Sequence, residues 1–199
     1  MILTRELQKD KGLVLVITGD EGNEERVLKA LAPRFDGRKQ LFWPKPPIFR
    51  KTGLIALEAV KVYPSLIGQR NLKVLFLIDQ EHIKGEIQQE VLKALIGIEI
   101  KSVEKIYDKA LYIKTSIGEK SIDIYAVVQG KNKCLEENIS ELLEIMGYKV
   151  NPDKDEIKKL LKEIRKDLEE IIKETSLKDL EMAFPQLIKT LRILKDSAD

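Results

Sequence analysis

Two residue types that hold soft metals or form covalent bridges are almost missing: the chain has one cysteine, Cys134, and one histidine, His82. A lone cysteine excludes an internal disulfide and a cysteine-rich zinc site, and it points to a reducing, cytoplasmic setting. Any metal would then be held by carboxylates, which selects magnesium or manganese over softer ions. A run of about 18 apolar residues is also lacking, so no membrane-spanning helix is expected. The first apolar segment is too short and too closely flanked by charge to act as a signal peptide. Internal repeats and low-complexity tracts are absent as well. These absences predict a soluble protein with no membrane partner.

Charge is abundant. Asp, Glu, Lys and Arg make up 34% of the 199 residues, above the roughly 25% of ordinary domains. The dominance of Lys, Glu and Ile resembles thermophile usage. The formal net charge of +2 conceals an asymmetry: from Arg34 to Lys73 there are nine basic residues against two acidic ones, a local excess of +7.

Leu13 to Ile17 and Lys73 to Asp79 are continuous apolar runs of the kind buried on both faces of a parallel sheet. Between them, Asn23 is placed to cap a helix whose first turn carries Glu24 and Glu25. Gln40 to Trp43 reads as a short strand, and a helix is expected from about Thr52 to Leu66. Ile87, Val91, Leu92 and Leu95 have helical spacing. This alternation predicts an α/β fold with a central, mostly parallel sheet flanked by helices. Ala110 to Thr115 and Ser121 to Val128 alternate around Ser116-Ile117-Gly118-Glu119, which predicts an antiparallel hairpin at the sheet edge. A helix from Leu135 ends at Gly147. From Asn151-Pro152 onward, two apolar stripes predict a C-terminal helical hairpin, with a kink or restart at Pro185. The expected division is an α/β domain over residues 1–150 and a helical hairpin over 151–199, packed on or beside the core.

In an open α/β sheet, ligands bind beyond the carboxyl ends of parallel strands. Asp79 sits at one such end and Thr18 to Gly22 at another, so Asp20, Glu21, Asp79 and Glu81 meet in one mouth if the two strands are neighbours. Asp79 and Glu81, two positions apart, share one cation if the strand continues through Gln80. Magnesium or manganese suits such oxygen ligands. His82, beside the pair, is a candidate phosphate contact or acid, with an ordinary loop histidine as the competing assignment. Cys134 lacks an adjacent base and is read as structural.

The order strand, acidic glycine-containing loop, helix, strand, helix, strand ending in Asp-x-Glu resembles the Toprim domain of topoisomerases, bacterial-type primases and overcoming-lysogenisation-defect nucleases. Glu21-Gly22-Asn23-Glu24-Glu25 and Asp79-Gln80-Glu81 carry the resemblance, which spans roughly residues 12–128. It implies Asp79 and Glu81 as magnesium ligands, and a general acid or base in the first loop, for phosphoryl transfer on nucleic acid. The chain departs from the family pattern in two places. Gly19-Asp20 stands before the glutamate, so either Asp20 or Glu21 fills the catalytic place, and Glu81 stands where the family has a second aspartate.

Arg38 to Lys51, "RKQLFWPKPPIFRK", mixes cations with rings. Arg38, Lys39, Lys45, Arg50 and Lys51 would attract phosphates, and Trp43 would stack on unpaired bases. The competing expectation is that Phe42 and Trp43 belong to the core. The sequence therefore predicts a magnesium-dependent, nuclease-like phosphoryl-transfer protein of the Toprim type. The alternative is a non-catalytic nucleic-acid or protein binding module on the same fold.

Overall fold

The computed structural model describes residues 1–8, 11–19, 22–35, 38–44, 51–68 and 71–197. Its strands are β1 (Ile2–Thr4), β2 (Gly12–Thr18), β3 (Lys39–Phe42), β4 (Asn71–Asp79), β5 (Glu99–Tyr107), β6 (Ala110–Ile117) and β7 (Lys120–Gln129). They form one sheet in the order β1-β3-β2-β4-β7-β6-β5. The first five in that order pair in parallel, while β6 runs against both of its neighbours. The fold is α/β as expected, with the hairpin β6–β7 joined to β4 through β7 and with β5 as the outer edge. Strands β1 and β5 were not among the expected elements.

Successive side chains of a strand point to opposite faces, so a run with no polar residue needs cover on both sides. That cover is present. Val14, Val16, Leu75 and Leu77 enter one core, whereas Leu13, Leu15, Ile17, Val74, Phe76 and Ile78 enter the other. Helix α1 (Glu24–Leu31) seals the first face with Val27, Leu28 and Leu31, and α4 (Leu135–Ile145) joins it there with Ile139, Leu142 and Leu143. The second face is covered by a 3-10 helix over Gly53–Lys61, by α2 (Tyr63–Ile67), and by α3 (Ile87–Ala94) through Val91.

This distribution locates a switch in the winding. The chain leaves β2 over the first face to reach β3 on one side, then returns over the second face to β4 on the other. The carboxyl ends of β2 and β4 therefore flank the crevice at which such sheets bind ligands. Thr18 pairs in register with Leu77, and Asp79 with Gln129, so the loops after β2, β4 and β7 leave one edge together.

The expected C-terminal hairpin is instead four short helices: α5 (Lys154–Glu163), α6 (Leu168–Glu174), α7 (Leu177–Ala183) and α8 (Pro185–Asp196). Local capping explains the breaks. Asp153, rather than Asn151, starts α5 by accepting the backbone N–H groups of Asp155 and Glu156. Arg165, at φ 55°, ends it, and Asp167 opens α6 with a reciprocal capping box to Glu170. Ser176 caps α7, and Pro185 starts α8. The four helices bury Ile157, Leu161, Ile171, Leu180, Leu187 and Leu191 in the same core as Val14, Leu75 and α1. They thus complete the first face of the sheet.

One buried amide holds this layer to the sheet. Asn138, 4% exposed, accepts the Gly130 N–H through Oδ1 at 2.7 Å and donates through Nδ2 to the Ala183 carbonyl at 2.7 Å. Asn138→Ala strands a buried donor and a buried acceptor on two separate elements. The expected loss is about 1–3 kcal/mol of stability, read as a lower urea midpoint at unchanged m-value.

Candidate functional site

At the switch point the backbone is packed too tightly for side chains. The Gly19 N–H donates to the Leu77 carbonyl at 2.9 Å, and the Gly53 N–H donates to the Gly19 carbonyl at 2.7 Å. A Cβ on Gly19 would stand 3.0 Å from the Gly53 carbonyl oxygen. Gly53 adopts φ 60°, and a Cβ there would lie 3.2 Å from Nδ1 of His82. His82 is therefore half-buried against the start of the 3-10 helix. It does not line the acidic cavity described next.

On the first-face side, a cavity of about 280 Å³ opens at the same edge, ringed by the carboxylates of Glu24, Asp79, Glu81, Glu136 and Asp153 and by Lys133 and Lys154. Like charges so close would repel, but each of four carboxylates accepts a hydrogen bond that offsets part of its charge. Asp79, 7% exposed, accepts the Leu135 N–H at 3.0 Å, and Glu24 accepts the Gly22 N–H at 2.8 Å. Glu136 accepts from Asn23 Nδ2 at 3.1 Å, and Asp153 holds the first turn of α5. The helices α1, α4 and α5 all begin at this cavity, so their positive ends face the acids.

The strand does not persist through Gln80 as the shared-cation geometry required. Residues Gln80–His82 form a 3-10 turn directly after Asp79. Asp79 and Glu81 line the one cavity nevertheless, with Asp79 buried under α4 and Glu81 exposed at the rim. The Glu81 N–H donates to the Lys133 carbonyl at 2.8 Å, which ties the turn to the β7–α4 loop. The other two expected acids, Asp20 and Glu21, lie outside the described residues. Among the described residues no group of three or more His, Cys, Asp or Glu side chains is arranged to hold a metal ion.

Sequence analysis missed Glu24, Glu136 and Asp153 as members of this ring, because their common location depends on where three helices begin. It also missed Gln129. This residue is 2% exposed, pairs in register with Asp79 on the same face, and its Nε2 has no hydrogen-bond partner. The available signal was a polar residue closing an apolar strand, the pattern that singled out Asp79.

The β7–α4 loop is shaped by Gly130, at φ 79°, where a Cβ would fall 2.5 Å from the Cys134 carbonyl oxygen. Glu137 accepts the N–H groups of Asn132 and Lys133, both at 2.8 Å. Burial pushes its carboxyl up, but backbone hydrogen bonds from Lys133, Asn132, Lys131 and Cys134 outweigh that and bring it below its ordinary 4.5. Cys134 behaves in the opposite way. Burial, followed by hydrogen bonding to Glu136 and the charges of Glu136 and Asp79, pushes its thiol up to about 12. A thiol so held stays protonated and is a poor nucleophile.

The basic, aromatic segment is only partly a surface. Trp43 is 5% exposed with its ring in the first core, and Lys39 is also 5% exposed. The Lys39 ammonium donates to the Leu194 carbonyl at 2.7 Å and to the Ser197 carbonyl and hydroxyl, closing the C-terminal end of α8. The expectation that these two residues bind nucleic acid is corrected. The unforeseen strand β1 pairs outside β3, which makes β3 an interior strand with cover on both faces. Arg34 serves similarly, donating to the carbonyls of Ile172, Lys173 and Thr175 at the end of α6. Arg38 and Lys51 are exposed. Lys45 and Arg50 lie outside the described residues.

Two outcomes check these assignments. Because Glu137 is lowered in the folded state, its contribution is fully present above pH 4.5 and is lost as pH falls through its folded value. Glu137→Gln is therefore expected to melt at a lower temperature than the wild type at neutral pH. That gap should narrow as acid is added below about pH 4.5. Cys134 is expected to resist iodoacetamide at pH 8 in the folded protein and to react on unfolding, a contrast readable by mass spectrometry. Among the described residues no helix is long and apolar enough to cross a membrane. No family model, curated protein or solved structure matches the chain.

Proposed function

We propose that this chain is a magnesium-dependent, nuclease-like protein of the Toprim type, acting in phosphoryl transfer on nucleic acid at the mouth between β2 and β4. One observation carries the proposal: the described ends of both loops reach a single cavity at the topological switch point, and that cavity is ringed by carboxylates. The donor set fits a hard cation. All of its anionic ligands are oxygens, and magnesium commonly uses only one or two protein carboxylates, completing its shell with water and phosphate. A three-ligand protein cage is therefore not required.

Asp79 and Glu81 would hold the ion, which supplies charge neutralisation at the phosphate when bound. Asp79 keeps one oxygen on the Leu135 N–H, and this bond fixes the orientation of its carboxylate. Asp20 or Glu21, in the loop between Gly19 and Gly22, would hold the proton that the reaction moves. Lys133 and Lys154 at the rim would draw in a phosphate that the acids alone would repel. Arg38, Lys45, Arg50 and Lys51 would orient the backbone. The setting is the cytoplasm, where the single thiol remains reduced.

The expected outcome with magnesium or manganese at about 100 times the dissociation constant is a melting temperature raised by roughly 5–10 °C. Asp79→Asn keeps an acceptor for the Leu135 N–H and should fold, but it should lose both that rise and cleavage of a labelled oligonucleotide. Calorimetry that detects no binding of either ion, with or without an oligonucleotide, removes this function.

A second reading is favoured by a separate observation: four of the ring carboxylates are already committed to helix-start or loop hydrogen bonds. On that reading the chain is a non-catalytic nucleic-acid or protein binding module. Metal-independent gel shifts that weaken steeply with salt would distinguish it.

A further inference from the structure

A second charged surface lies on the C-terminal helices, away from the acids of the mouth. Read along the chain, the charges of α5 are mixed in sign, but helical spacing gathers some of its cations. Lys158 and Lys162 are four residues apart on one face, and Arg165 and Lys166 continue that line in the turn that ends the helix. Glu156, Lys159 and Glu163 fall on another side and line a different depression. With Arg26 of α1, the four cations line a groove of about 350 Å³ that also includes Leu161 and a single carboxylate, Asp167. Five cations thus face one acid, in a chain whose formal net charge is +2.

The cations are only partly neutralised from within. Lys158 pairs with Asp155 at 3.6 Å, and Lys166 pairs closely with Glu174. Asp167 accepts the Glu170 N–H at 2.9 Å. Arg26, Lys162 and Arg165 have no ion-pair or hydrogen-bonding partner for their side chains among the described residues.

Arg165 adds an independent sign. It is the one non-glycine residue at positive φ among those described. Its turn has the hydrogen bonds of a Schellman motif, Lys166 N–H to the Leu161 carbonyl at 3.1 Å and Arg165 N–H to the Lys162 carbonyl at 3.2 Å. At the end of α4 the same motif uses Gly147, at φ 89°. Glycine adopts this conformation more readily, so the chain carries its guanidinium here against a conformational preference.

We propose that this groove docks the phosphate backbone of a nucleic-acid strand. Its shape argues against a single phosphate. It lies between the end of α5 and the start of α6, and that helix start, the kind of place an isolated phosphate favours, is already capped by Asp167. Its cations are instead spread along about 10 Å of helix between Lys158 and Arg165, which suits a chain of charges. Among the described residues no aromatic lines it, so contacts are to the backbone and independent of base sequence. Helix α5 starts at the acidic cavity, where Asp153 and Lys154 lie, and ends in the groove. A strand held there leads toward the mouth, and only this direction rests on the function proposed above.

The test is fluorescence anisotropy with a labelled single strand of about 20 nucleotides, in EDTA, from roughly 50 to 200 mM salt. Three unpaired cations predict a slope of log K against log salt near −2, about −0.7 for each phosphate contacted. Arg165→Gly should lower the affinity several-fold and make the slope shallower by about 0.7, with a melting temperature unchanged or raised. Charge reversal of Lys162 and Arg165 together should abolish binding, while reversal of Lys149 and Lys159 should leave it intact. Groove variants that bind like the wild type overturn the proposal, as does Arg165→Gly losing thermal stability along with binding. Equal binding to anionic vesicles, or full competition by millimolar inorganic phosphate, also overturns it. Binding measured in EDTA does not draw on the metal site, so failure of the metal site and failure of the groove are read separately.

Discussion

Asp79 ends the central strand β4 beneath the first turn of α4, and its carboxylate accepts the Leu135 N–H from a position 7% exposed. A buried carboxylate is costly unless it is well paired, and a helix start is a ready partner because its first N–H groups have no acceptor within the helix. The bond therefore answers two unmet needs at once and sets where α4 begins. From that start follow the position of Asn138, which grips Gly130 and Ala183, and that of Glu136 and Glu137 at the cavity and in the loop. The acidic mouth and the attachment of the C-terminal helices both depend on it.

The same pairing of charge with helix ends recurs through the molecule. Acids or hydroxyls sit at the starts of α3, α5, α6 and α7, and the cations of Arg34 and Lys39 sit at the ends of α6 and α8. Each choice follows the helix dipole. One consequence is that a local excess of basic residues in sequence does not translate into a basic surface. Part of the excess between Arg34 and Lys73 is spent inside, on carbonyls contributed by a segment more than a hundred residues away. Conversely, the C-terminal helices, whose composition is nearly balanced, gather Lys158 and Lys162 of α5 with Arg165 and Lys166 along one groove, while Glu156, Lys159 and Glu163 lie along another.

The mouth combines negative side chains with positive backbone. Three helix starts around one small cavity moderate the repulsion among five carboxylates, and Lys133 and Lys154 lower it further. Opposite the mouth, the backbone of Gly19 and Gly53 and the ring of His82 close the second-face side of the switch point.

The parallel core was legible in the chain itself, because Leu13 to Ile17 and Val74 to Ile78 have no polar residue and so require cover on both faces. The hairpin around Gly118 and the restart at Pro185 were equally local, set by turn chemistry and by the missing proline N–H. Asp79 stood out because a carboxylate closing such a strand has few places to go. What the sequence could not convey was pairing at a distance. Whether β3 is an edge or an interior strand depends on β1, three residues whose strand character comes from their partner, and that decided the burial of Trp43 and Lys39. The membership of Glu24, Glu136 and Asp153 in one cavity came from the winding of the sheet, since helices that start at a common edge converge only once the strands between them are in register.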